Sequence, residues 1–115
     1  MSDAATGPEA VVMRQVEFYN ARDLEGFLST YREDAVIERP SQGATVASGR
    51  GAMREGFAKL FAANSNLHCA VVGCIVKGNF VALSEKITGL AAEGARDALA
   101  VYEVKDGLIA RAWFF

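Results

Sequence analysis

The sequence predicts an α+β fold, with helices from the first half packed on one side of an antiparallel sheet from the second. Three observations point there. Apolar residues recur with a helical period in three segments before residue 65. From residue 67 onward, four stretches rich in Val, Ala, Ile and aromatic residues follow one another. Short turn signals separate them: Lys77-Gly78-Asn79, Glu93-Gly94 and Asp106-Gly107. A chain of 115 residues, 51% hydrophobic, can build one real core and is too short for two.

Residues 1–7 read as a flexible tail, and 8–115 as a single domain. Pro8 suits the first turn of a helix. Val12, Val16 and Tyr19 then fall at i, i+4 and i+7. Asn20-Ala21-Arg22-Asp23 closes this helix, and Asp23 is a good cap for the next. Leu24, Phe27, Leu28 and Tyr31 repeat the i, i+3, i+4, i+7 pattern in a second, short helix ending before Arg32. Ala35 to Arg39 reads as a strand stopped by Pro40. Ser41 to Ser48 is small and polar, a loop or weak edge strand. Met53, Phe57, Leu60 and Phe61 mark a third helix that stops near Asn64. The remaining strands are Leu67 to Val76, Phe80 to Thr88, Ala98 to Val104 and Leu108 to Phe115. Simple alternation in the first of these puts Cys69, Val71 and Ile75 on one face, and Ala70, Val72, Cys74 and Val76 on the other. A strand apolar on both faces calls for a second covering layer, such as a partner subunit.

Composition excludes several function classes. Twelve basic against fourteen acidic residues leave a net charge of −2, without the basic excess that nucleic-acid binding needs. No apolar run approaches the roughly 18 to 20 residues of a membrane span. Met1 to Gly7 lacks the charged-then-apolar order of a signal peptide, so a cytoplasmic location is expected. Cys69 and Cys74, five residues apart on a strand, would be about 16 Å apart. A disulfide tolerates about 7 Å, so the two should not pair. Without CxxC spacing, and with one histidine, they suggest no metal site. Walker, GxGxxG, HExxH and GxSxG motifs are all missing, and no cofactor is implied.

Several segments carry a resemblance: Phe18-Tyr19-Asn20-Ala21-Arg22-Asp23-Leu24, Tyr31-Arg32-Glu33-Asp34-Ala35-Val36, Pro40, Ser48-Gly49-Arg50-Gly51-Ala52-Met53, and Val104-Lys105-Asp106-Gly107-Leu108-Ile109. Together they resemble the nuclear transport factor 2-like superfamily, in its SnoaL-like and ketosteroid-isomerase-like branch, from about residue 8 to the end. The resemblance implies a cone of cystatin-like topology: a curved antiparallel sheet wraps three helices and leaves an apolar pocket open at one mouth. It also implies a homodimer formed through the outer face of the sheet. Fold alone does not choose an activity, because members include isomerases, dehydratases, cyclases and epoxide hydrolases. Ketosteroid isomerases use a carboxylate base at the end of the first strand, with a tyrosine and a protonated aspartate as oxyanion hole. Those positions fall here on Arg39, Gln15 and, less directly, Ala100. Arginine cannot act as base at neutral pH, so ketosteroid isomerisation is not expected. The Asp-Arg-Asp cluster of limonene-epoxide hydrolases is half imitated by Arg39 and Glu85, but a second inward carboxylate is missing.

The same alignment turns Val81, Leu83, Glu85 and Ile87 into the cone. Glu85 is then a lone carboxylate on an apolar face, which should titrate high unless paired. Arg39 is the inward partner the sequence offers. Either the two form a buried salt bridge, or Arg39 holds an anionic or carbonyl group of a ligand while Glu85 acts as acid or base. Tyr19, one helical turn after Gln15, and Tyr102, two residues after Ala100, face the same interior. Each is a core residue or a hydrogen-bond donor to a ligand. Phe57, Phe61 and Phe114 should wall the pocket, and the small Ala98, Ala100 and Ala112 leave it room. Arg111 and Trp113 should point outward, towards a dimer interface. His68, the single histidine, reads as a surface residue or a base at the mouth. The expected function is binding of a small, mainly apolar organic molecule, the partner being apolar or amphipathic, with proton transfer, hydration or dehydration as the reaction if there is one. The rival is a non-catalytic carrier or interaction domain.

Overall fold

The computed structural model describes residues 7–115. Residues 1–6 of the expected tail lie outside the described residues, and Gly7 caps the first helix. The elements are α1 (Pro8–Ala21), α2 (Leu24–Ser29), β1 (Tyr31–Arg39), a 3₁₀ turn (Pro40–Gln42), β2 (Ala44–Ser48), α3 (Arg50–Ala63), β3 (His68–Lys77), β4 (Phe80–Leu90), β5 (Gly94–Lys105) and β6 (Leu108–Phe114). One six-stranded sheet runs in the order β2-β1-β6-β5-β4-β3. The fold is the expected α+β arrangement. No helix among the described residues is long and apolar enough to cross a membrane.

Local chemistry explains most boundaries. Pro8 opens α1, and Arg22 ends it in the left-handed region at φ 53°. The Asp23 carboxylate accepts from the Gly26 N–H at 3.0 Å and caps α2. Asp106 and Gly107 both have positive φ, as the type I′ turn between β5 and β6 requires. Asn20 ties α1 to the sheet twice: its amide donates to the Cys69 carbonyl at 3.0 Å and its carbonyl accepts from the Cys69 N–H at 2.7 Å.

Three features depart from the sequence expectation. Tyr31 continues the helical stripe of α2 in sequence but is the first residue of β1. The Thr30 carbonyl accepts from the Ile109 N–H at 2.8 Å, and Tyr31 pairs with Ile109, so β6 draws the chain out of the helix. That pairing is also parallel, while every other one is antiparallel. In β3, a bulge between Val71 and Gly73 reverses the alternation. Cys69 pairs with Ile87 and Cys74 with Leu83, so both cysteines share the inward side, and Ile75 turns outward. Both cysteines are free.

The core lies between the helices and the concave face. Phe27 is its hub, with ring centroids 4.5 Å from Phe57, 5.2 Å from Tyr31, 5.8 Å from Phe61 and 6.1 Å from Tyr19. At the far end of β4 the chain passes so close to Asn66 that only glycine fits. Gly89 has φ +77°, and a Cβ there would stand 2.0 Å from the Asn66 carbonyl oxygen. Gly89→Ala should therefore cost about 2 to 4 kcal/mol in urea denaturation, through backbone clash and strain together. An unchanged midpoint would show that β4 does not pass Asn66 this closely.

Candidate functional site

The curved sheet and the helices enclose a cavity of about 510 Å³ that opens to solvent. Each of its walls follows from an element already placed. Gln15, Val16 and Tyr19 come from one face of α1, and Met53, Phe57 and Leu60 from one face of α3. Cys69, Glu85, Ile87, Ala98, Ala100 and Tyr102 alternate inward from β3, β4 and β5. Arg39 and Phe114 come from the ends of β1 and β6.

Of the residues singled out from sequence, Glu85, Arg39, Gln15, Tyr19, Phe57, Ala100, Tyr102 and Phe114 line this cavity. Phe61, Leu83 and Ala112 do not. Phe61 packs behind the wall, its ring 5.6 Å from Tyr19. Leu83 and Ala112 are fully covered core residues beneath it. His68 is exposed and outside the cavity, because inward Cys69 turns it to the opposite face. Sequence reasoning missed Cys69 and Arg96. Arg96 shares parity with Ala98, Ala100 and Tyr102, and was hidden because β5 starts four residues earlier than its apolar run.

The expected salt bridge between Arg39 and Glu85 is not formed. Among the described residues no ion pair involves either side chain. The half-buried Arg39 instead lays its guanidinium over Phe114, 5.7 Å from the ring centroid. Glu85 sits deeper, 7% exposed, with no cation against it. Burial pushes its carboxyl from an ordinary 4.5 up to about 7, and a hydrogen bond from the Cys69 thiol acts the other way. Burial and the facing Glu85 charge drive Cys69 from 9.0 up to about 12, so the thiol remains protonated and donates.

Burial also raises the phenols of Tyr19, Tyr31 and Tyr102 above their ordinary 10, and the Glu85 charge adds to the rise in each. All three are O–H donors at neutral pH. Gln15 holds one of them in place: its carbonyl accepts from the Tyr31 hydroxyl at 3.3 Å and its amide donates to the Val12 carbonyl at 3.1 Å. The cavity thus holds a proton acceptor poised near neutrality, with phenol donors beside it. No group of three metal-ligating side chains occurs among the described residues.

A model of the SnoaL-like domain matches residues 12–112. The chain belongs to the SnoaL-like family. Among solved structures, this SnoaL-like protein is similar to an uncharacterised cystatin-fold protein from Novosphingobium aromaticivorans, with 22% identity, a TM-score of 0.86 and coverage of 96% of this chain and 98% of the other. It is similar to a protein with a ketosteroid isomerase-like fold from Catenulispora acidiphila in complex with trimethylamine, at 16% identity, TM-score 0.76, and 96% and 86% coverage. A third is TerC, co-crystallised with polyporic acid, at 19% identity, TM-score 0.79, and 94% and 89% coverage. These likenesses establish the shared nuclear transport factor 2-like, cystatin-like fold. No curated protein matches the sequence.

The raised carboxyl makes stability depend on pH. Between 4.5 and about 7, folded Glu85 keeps a proton that the unfolded chain has released, so stability falls as pH rises through that window. Above it the full cost applies, about 3 kcal/mol. Glu85→Gln should flatten this profile and raise stability by about 2 to 3 kcal/mol at pH near 8, measured by urea denaturation. Cys69→Ala removes the one favourable donor and should steepen the profile. If both variants follow the wild-type curve, Glu85 is not the desolvated group described.

Proposed function

We propose that this SnoaL-like protein binds a small, mainly apolar organic molecule in the cone cavity and moves a proton on it. Glu85 is the acid or base, and Tyr102 or Tyr19 is the donor to a ligand oxygen. The observation that carries this reading is the buried, cation-free Glu85 carboxyl, poised near 7 and lining a cavity that opens to solvent. A structural carboxylate would be paired. The reactions that suit it are proton transfer, hydration and dehydration, in which Glu85 takes a proton from carbon, oxygen or water and returns it. Ketosteroid isomerisation is not among them, with Arg39, Gln15 and Ala100 at the aligned positions of that site. TerC, co-crystallised with polyporic acid, gives a precedent in this fold for an organic acid as ligand.

The test is exchange of the acidic α-protons of 2-tetralone for deuterium, followed by NMR. Wild type should accelerate exchange over buffer and Glu85→Gln should not, while Ala100→Trp, which fills the cavity, should abolish both binding and exchange. Binding without exchange in wild type would leave a carrier. Exchange that survives Glu85→Gln would remove this residue from the mechanism.

We also propose that a second copy covers the outer sheet face. Ile75, Ala82, Val101 and Trp113 are cross-strand neighbours in one row on that face. Phe80 packs on Trp113 at 6.3 Å, and Ile75 and Val72 are 72% and 68% exposed. Such a stripe suits an isologous interface. Ile75→Glu and Trp113→Ala should both lower the sedimentation coefficient from a dimer value towards a monomer value. A wild-type protein that sediments as a monomer would refute the assignment.

A further inference from the structure

The charges of the cavity are sorted by depth. Glu85 is at the covered end. Arg39 and Arg96 are nearer the mouth, and both line the cavity. Strand register places both arginines on the inner face. Arg39 lies two residues beyond the fully buried Ile37, and Arg96 lies opposite Ile87. Asp97, also at the rim, lies opposite Lys86 on the outward side of the same ladder. Arg96 has one acidic partner, Glu93 at 3.5 Å, between half-exposed side chains. Arg39 has none among the described residues.

Arg39 is therefore a half-desolvated guanidinium over the Phe114 ring, with its N–H donors unclaimed by any carboxylate among the described residues. A neutral apolar ligand would cover it further and give nothing back, which is costly. A cationic ligand would meet two like charges at the mouth. An anion there gains charge-assisted, bidentate hydrogen bonds in a partly water-excluded site. Between mouth and floor the walls are Met53, Phe57, Leu60 and Ala100, which suit a flat hydrocarbon body.

We infer that the ligand of this cavity is an amphipathic organic acid, its carboxylate or equivalent anion on Arg39 with Arg96 beside it, and its apolar body directed towards Glu85. The inference rests on the binding reading above and adds the ligand's charge and orientation. Arg39 and Arg96 are then specificity residues, set apart from Glu85 by the absence of any ion pair with it among the described residues.

Isothermal titration of naphthalene-2-carboxylate and its uncharged counterpart, naphthalene-2-carboxamide, separates the two ideas. The carboxylate should bind about tenfold more tightly at low ionic strength, and the preference should shrink with added salt. Arg39→Gln should erase most of the preference by weakening carboxylate binding, and Arg96→Gln should erase a smaller part. Equal binding of the two probes by wild type would overturn the organic-acid assignment and leave the binding reading standing. A preference that persists in both variants would overturn it as well. Binding of neither probe would overturn both.

Discussion

A carboxyl buried in a greasy hollow without a countercharge is the constraint around which this molecule is arranged. Glu85 is covered by α1 and by its neighbours on β3 and β5, and among the described residues the side chain that hydrogen-bonds its carboxyl is the Cys69 thiol. Such a group is tolerated because it can stay protonated near neutrality, and because the cavity gives water or a ligand access to it. A filled core would have selected an apolar residue here, as it does at Val81 and Leu83 on the same face of the same strand.

Two devices keep the hollow open. The sheet bends away from the helices, helped by the β3 bulge and by the parallel junction of β1 with β6, which brings the two chain halves edge to edge. The helices are pinned where they meet the sheet. Asn20 grips the Cys69 backbone, Arg22 donates to the Leu67 carbonyl at 2.8 Å, and the Asn64 side-chain oxygen accepts from the Ala91 N–H at 2.7 Å. Because these polar anchors fix the distance between layers, small side chains such as Ala98 and Ala100 leave space instead of drawing the walls together. Gln15 does the same for a phenol: it holds Tyr31 in the core and itself lines the cavity, so one polar side chain on α1 serves both packing and the site.

The separation of Arg39 from Glu85 changes what each residue does. As a pair they would have neutralised each other and closed the site. Apart, they leave a half-buried guanidinium and a buried carboxyl unpaired with each other on the wall of one cavity. Phe114 holds the guanidinium at the rim, where water still reaches it, and this is cheaper than carrying it into the hollow to meet a carboxyl that can stay neutral.

The family resemblance turned one face of β4 inward and supplied the candidates Glu85, Tyr19 and Tyr102, while periodicity, caps and turn residues in the chain determined the three helices, the hairpins and the alternation along β4. These are local properties, set by backbone geometry and by the alternation of side chains. Only the tertiary structure decided the rest. Tyr31 left its helical stripe because β6 offered its neighbour a hydrogen bond. The inward side of β3 changed because one extra residue at Val72 has no local signature. Cys69, not Arg39, came to face Glu85, because register across a hairpin and the reach of a side chain over a curved surface depend on contacts between residues far apart in the chain.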